Sequence, residues 1–100
     1  MNQSLEASVA AEIRAVWEKG NVAGGDSDIW RKDDCGAWIC STDYGDRRSP
    51  YGWEIDHIDP KGGEGISNKR PLQWENNVAK GAGRTKCVVT SSDNKNVKVG

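Results

Sequence analysis

The chain has little from which to build a large core. Its 100 residues include no phenylalanine, one methionine and one histidine, and only 35% of them are hydrophobic. The mean hydropathy is −0.79. A chain of this size forms one small domain, whose modest core must depend on its five tryptophans and its valines. A two-domain enzyme and a deep, wholly protein-lined substrate pocket are therefore excluded.

Long apolar runs are also missing. No segment approaches the roughly 20 apolar residues that a bilayer span needs. The N-terminal region carries Glu6 and Glu12 and does not place basic residues ahead of an apolar stretch, as a signal peptide does. We therefore expect no membrane partner and a cytoplasmic location.

The chain has few cysteines, and their spacing matches no paired-cysteine motif. Cys35, Cys40 and Cys87 are odd in number and form no CxxC pair, so the spacing predicts neither a disulfide framework nor a zinc ribbon. We expect buried free thiols. We do not expect structural zinc.

Charge is balanced overall but not along the chain. The formal net charge is −1, yet residues 1–60 carry 6 basic and 12 acidic side chains and residues 61–100 carry 8 basic and 3 acidic ones. Such asymmetry indicates a polyanion or metal site near the junction of the two parts.

Residue periodicity predicts an α+β fold in a single domain over 1–100. Leu5, Val9, Ile13 and Val16 recur at helical spacing, which predicts a helix over about 4–19. The other predicted elements, in chain order, are a helical turn around Ile29, strands over 37–41, 52–58 and 71–74, a short helix over 75–80, and a tail over about 84–100 that is either a hairpin or flexible.

The chemistry is expected where the only histidine follows an aspartate at a strand end. The Asp56 carboxylate is a hard oxygen ligand for Mg²⁺ or Mn²⁺, whereas a neutral His57 imidazole can take a proton from water. A glycine-rich loop and two asparagine-containing segments follow within thirty residues. The pair can therefore divide metal binding and base catalysis between two side chains.

The segment 52–81, GWEIDHIDPKGGEGISNKRPLQWENNVAKG, resembles the HNH endonuclease family. The first signature position is His57, the middle one is Asn68, and the third is Asn77, where many members have histidine. Asparagine at the third position also looks like the HNH domain of RNA-guided CRISPR nucleases. The resemblance implies a small ββα-metal (His-Me finger) core, with the N-terminal helix and short strands as additions.

The resemblance also implies a role for each site residue. His57 is the general base, Asn68 fixes the loop and supports that base, and Asp56 and Asn77 bind the metal. An amide oxygen ligand favours weakly held Mg²⁺ or Mn²⁺ over Zn²⁺. The expected contacts to nucleic-acid phosphates are Lys69, Arg70, Lys80 and Arg84.

Two features of this sequence do not follow directly from the HNH family pattern and its expected geometry. Many HNH proteins carry two zinc-binding CxxC pairs, and this chain has Trp74 and Glu75 where the second pair would begin. We therefore expect packing to hold the fold, with a core of Trp53, Ile55, Trp74 and Val78. Strict strand alternation would also place Asp56 and His57 on opposite faces, so the strand must end or twist at His57.

The sequence thus predicts a metal-dependent endonuclease that nicks DNA or cuts it with weak sequence specificity, with a homodimer as an option for cutting both strands. Two alternatives stay open. One is a catalytically silent DNA-binding module, and the other is a toxin-like nuclease acting on RNA. The residues do not decide between DNA and RNA.

Overall fold

Two α-helices and three two-stranded antiparallel sheets make up the fold in a computed structural model, which describes residues 3–100 and the side chains of residues 6–100. This arrangement confirms the α+β class. No helix in the described part of the chain is long and apolar enough to cross a membrane. The elements are α1 (Gln3–Trp17), β1 (Trp30–Lys32), β2 (Trp38–Cys40), β3 (Trp53–His57), β4 (Lys69–Gln73), α2 (Trp74–Lys80), β5 (Val89–Ser92) and β6 (Lys95–Lys98).

The β3–β4 hairpin and α2 form one continuous unit. The two strands pair antiparallel from Trp53 opposite Gln73 to His57 opposite Lys69. Helix α2 follows β4 without a linker, because the Gln73 side chain accepts hydrogen bonds from the first free backbone N–H groups of the helix. Gly81, with φ of 55°, ends the helix.

The main hydrophobic core lies between α1, β2 and β3. Val16, Trp17, Ile39 and Trp53 are fully buried, and the Trp17 and Trp53 rings pack with their centroids 5.4 Å apart. The prediction that Val78 belongs to the core is wrong, since this side chain is 53% exposed. Helix α2 instead turns Asn76 and Lys80 inward, which places position 78 on the opposite face.

A buried polar network supplements packing near α2. Asp33, only 2% exposed, accepts two backbone hydrogen bonds within its own turn and two more from the Gln73 backbone (2.9 Å) and the Asn76 side chain (3.1 Å). Asn76 also bonds both polar backbone groups of Val89. Burial raises the pKa of Asp33, and these hydrogen bonds oppose that rise. Buried hydrogen bonds therefore hold this part of the fold together with the expected packing.

The prediction of three free thiols is also wrong. Cys35 and Cys87 form a disulfide across 52 residues, and Cys40 remains a buried free cysteine. The bond ties the β1–β2 turn to the segment before β5, which Asn76 already holds close to Asp33.

Two further segments can be compared with the sequence interpretation. The predicted helical turn around Ile29 is instead a turn leading into β1, whose Trp30 pairs with Cys40 of β2. The tail forms a hairpin, with Val89 opposite Lys98. The hairpin was one of the two possibilities that its residues left open.

Candidate active site

An open cleft lies between the end of β3, the following loop and the C-terminal half of α2. Its volume is about 410 Å³, and four of the residues predicted for the site line it, namely Asp56, His57, Asn77 and Lys80. Strand β3 ends at His57. Asp56 and His57 both line this cleft, and the β3–β4 register still pairs Asp56 with Arg70 and His57 with Lys69.

The Asp56 carboxylate is paired with two cations. Arg70 Nε donates to Oδ2 at 2.8 Å, and Lys80 Nζ lies 3.2 Å from Oδ1. The same Lys80 ammonium donates to the His57 backbone carbonyl at 3.0 Å. Because Asp56 is 4% exposed, the two cations compensate a charge that water cannot solvate.

His57 has an acidic partner that the sequence interpretation missed. Its Nε2 lies 3.0 Å from Oε1 of Glu64, which belongs to the glycine-rich loop and also lines the cleft. The hydrogen bond with His57, and then the charge of Lys69, lower the pKa of Glu64. The available signal was an acidic residue within the loop seven positions after the histidine.

Asn68 closes the same loop from behind. Its Oδ1 accepts from the Asp59 backbone N–H at 2.9 Å, while its Nδ2 donates to the carbonyls of Asp59 (2.8 Å) and Gly63 (2.9 Å). A Cβ at Gly62 would lie 2.9 Å from the Asn68 side chain. The loop therefore packs closely against Asn68, which fixes the path of the chain between His57 and Glu64.

Asn77 is oriented by a second acidic residue. Its Nδ2 donates to Oε1 of Glu54 at 3.0 Å, and Arg47 holds the same carboxylate through two bonds of 2.7 and 3.0 Å. Arg47, and more weakly Asn77, lower the pKa of Glu54. No donor to Oδ1 of Asn77 occurs within residues 6–100, so the amide oxygen is the group left for a ligand.

The basic residues predicted to contact phosphate are mostly engaged inside the molecule. Lys69 is 4% exposed and bonds Glu12 of α1. Arg70 bonds Asp56 and also reaches Asp34 and Thr85, at 3.1 and 2.5 Å.

The assignment of Lys69 and Arg70 as phosphate contacts stays a prediction, and in the folded protein both side chains pair with carboxylates. Their carboxylate partners come from distant parts of the chain and turn both side chains inward. Lys80 is buried as well, but it lines the cleft, and Arg84 is exposed.

The donor atoms of the cleft fit a hard divalent cation better than zinc. Each Asp56 oxygen keeps a lone pair beyond its cationic partner, and the Asn77 oxygen is free to coordinate. Carboxylate and amide oxygens suit Mg²⁺ or Mn²⁺ that retains several waters. Across the described residues, no group of three or more His, Cys, Asp or Glu side chains is arranged to hold a metal.

No protein-family model, curated protein or solved structure matches this chain.

Proposed function

We propose that the protein is a metal-dependent endonuclease of the HNH type that hydrolyses phosphodiester bonds of DNA. The observation that carries the proposal is that Asp56, His57 and Asn77 meet at one cleft. Strands β3 and β4 followed directly by α2 also have the strand–strand–helix order of the ββα-metal motif. This order supports the proposal, because it puts a base and two oxygen ligands on one rigid unit.

The reaction needs a water deprotonated in line with the leaving oxygen. His57 would take that proton, because a neutral imidazole is the side chain best suited to this transfer near neutral pH. Asn68 supports the base indirectly, because it fixes the loop that begins after His57. A divalent cation held by Asp56 and Asn77 would neutralise the charge that develops on the phosphate oxygens.

The pairing of Asp56 with Arg70 and Lys80 bears on how strongly such a cation is held. Two nearby positive charges weaken the attraction of this carboxylate for a third one. Metal binding at this cleft is therefore weak and uses Mg²⁺ or Mn²⁺ at millimolar concentrations.

Few side chains near the cleft are available to bind phosphate. Lys80 lines the cleft, and Arg84 lies exposed just beyond the end of α2. Such contacts position a nucleic acid but read no bases. The proposal is accordingly a nicking or weakly specific enzyme, and a homodimer would be needed if it cuts both strands at once.

A plasmid relaxation assay tests the proposal. Supercoiled DNA incubated with the purified protein becomes nicked circles with Mg²⁺ or Mn²⁺, and it stays supercoiled with EDTA. The proposal fails if the plasmid stays supercoiled with every metal. The same protein incubated with a labelled single-stranded RNA then tests the RNA-directed alternative.

A catalytically silent DNA-binding module is the second candidate. The two cations on Asp56 favour it, since they already satisfy the carboxylate without a metal. This candidate predicts a gel shift with DNA that does not depend on divalent metal, together with no cleavage.

A further inference from the structure

We infer that Glu64 is the positioning residue for His57, and that it orients the imidazole so that Nδ1 keeps the free lone pair of the neutral ring. The catalytic consequence rests on the proposed function, whereas the orientation itself does not. The sequence signals for this role are the acidic side chain of Glu64 and its place in the loop seven positions after His57.

The hydrogen bond fixes which ring nitrogen carries the proton. An ionised carboxylate can only accept, so the Nε2 atom that lies 3.0 Å from Oε1 of Glu64 must be the donor. The pKa of Glu64 is lowered by this contact, which keeps the carboxylate ionised at neutral pH. In the neutral ring, Nδ1 is then the nitrogen with a free lone pair, and therefore the one able to accept a proton.

A cation in the neighbouring strand holds Glu64 in place. Lys69 is the direct cross-strand partner of His57, and its Nζ lies 3.5 Å from the same Oε1 of Glu64. Its side chain is 5% exposed and also bonds Glu12 of α1. The ammonium is thus anchored by the first helix and presents a fixed positive charge to the loop.

This anchoring matters because Glu64 has little else to restrain it. The residue follows Gly62 and Gly63 and precedes Gly65, and its side chain is 81% exposed. An exposed ion pair contributes little to the free energy of unfolding. Removing Glu64 should therefore change the behaviour of His57 much more than it changes stability.

The only histidine of the chain can be observed directly by nitrogen NMR of metal-free protein. In the wild type, at a pH where the ring is neutral, we expect Nε2 to resonate as a protonated nitrogen and Nδ1 as an unprotonated one. We also expect the Nε2 proton to exchange with water more slowly than that of a free imidazole. Glu64→Ala should shift both resonances toward the tautomer mixture of a free imidazole and abolish the slow exchange. Glu64→Gln, which can still accept from Nε2, should restore most of the wild-type signal.

Cleavage kinetics provide the second measurement. Glu64→Ala should lower kcat by about 10- to 100-fold, the usual cost of removing the partner that fixes a functional histidine, and leave KM within about twofold. Glu64→Gln should recover most of the rate. Glu18→Ala, which removes an exposed glutamate whose side chain pairs with Arg14, serves as the matched control and should change neither measurement.

The outcomes separate the inference from the proposed function. Unchanged nitrogen resonances and unchanged exchange in Glu64→Ala overturn the positioning role, whatever the cleavage rate. If the wild type cleaves nothing with any metal, the proposed function fails, while the resonances still decide whether Glu64 orients His57.

Discussion

The Lys80 ammonium lies 3.2 Å from Oδ1 of Asp56, and both side chains are almost completely excluded from solvent. This contact connects the last turn of α2 to the end of β3, where the Asp–His pair lies. It places a protein cation on a carboxylate that the proposed reaction assigns to a metal. If a metal binds there as proposed, the charge of Lys80 should weaken its binding.

Replacing Lys80 tests this dependence. Lys80→Met leaves Asp56 paired with Arg70 alone, which should lower the stability of the metal-free protein by up to about 3 kcal/mol. Because one competing charge is gone, Mn²⁺ should raise the Tm of the variant more than that of the wild type. Thermal unfolding with and without Mn²⁺ measures both effects. Lys98→Met, at an exposed position paired with Glu75, is the control, and an equal response to Mn²⁺ in all three proteins would contradict the assignment of Asp56.

Asn68 should be important for stability as well as for activity. Asn68→Ala removes three hydrogen bonds that close the loop after β3. We expect a loss of about 1–3 kcal/mol in the free energy of unfolding, because the backbone groups of the loop lose their partner. Urea unfolding measures the loss, with Asn94→Ala in the exposed β5–β6 turn for comparison. Equal stability of the two variants would show that the loop does not depend on Asn68.

The disulfide should contribute strongly to stability. It closes a loop of 52 residues, for which the chain-entropy account gives on the order of 4 kcal/mol. The double variant Cys35→Ala/Cys87→Ala should therefore unfold at much lower urea concentration than the oxidised wild type. Thiol titration of the oxidised, denatured wild type checks the pairing independently. One reactive thiol, from Cys40, is expected, and three would contradict the bond.

The contribution of Asp33 to the free energy of unfolding should fall as pH rises, which is the opposite of what a carboxylate with a lowered pKa contributes. Burial raises its folded-state pKa above the usual value of 3.8, so the folded state holds the proton more tightly than the unfolded one. The contribution of Asp33 is then largest below that usual value and is lost as pH rises through the raised pKa.

The variant Asp33→Asn isolates this effect, because its amide does not titrate. It should be less stable by about 1–3 kcal/mol, since its NH₂ group faces an N–H donor. The stability advantage of the wild type should shrink as pH rises from 4 to 7. Urea unfolding across this range measures the difference, and an advantage that grows with pH would contradict the account.

Much of the β3–β4–α2 unit could be predicted because its signals are local. Alternating apolar residues mark the first strand, Pro60 and the glycines mark the loop, and Gly81 marks the helix end. That order of elements also brings Asp56, His57 and Asn77 to the lining of one cleft. A three-residue strand such as β1 carries too short a pattern to be recognised in the same way.

The parts that the sequence did not predict depend on partners far away in the chain. Cys35 and Cys87 meet only because Asp33 and Asn76 bring their segments together. Lys69 resembles a surface cation until Glu12, 57 residues earlier, turns it inward. Spacing and periodicity contain no information on such long-range pairings. Glu64 is a different case, because it lies only seven residues after His57 and its carboxyl group was a local signal.

The most direct test of the central claim is the rate of plasmid nicking by His57→Ala in Mg²⁺, compared with wild type and with the Glu18→Ala control. The account predicts a loss of at least about 100-fold for His57→Ala, with unchanged circular dichroism and an unchanged Tm. Nicking by His57→Ala at the wild-type rate would contradict the assignment of this cleft as the active site.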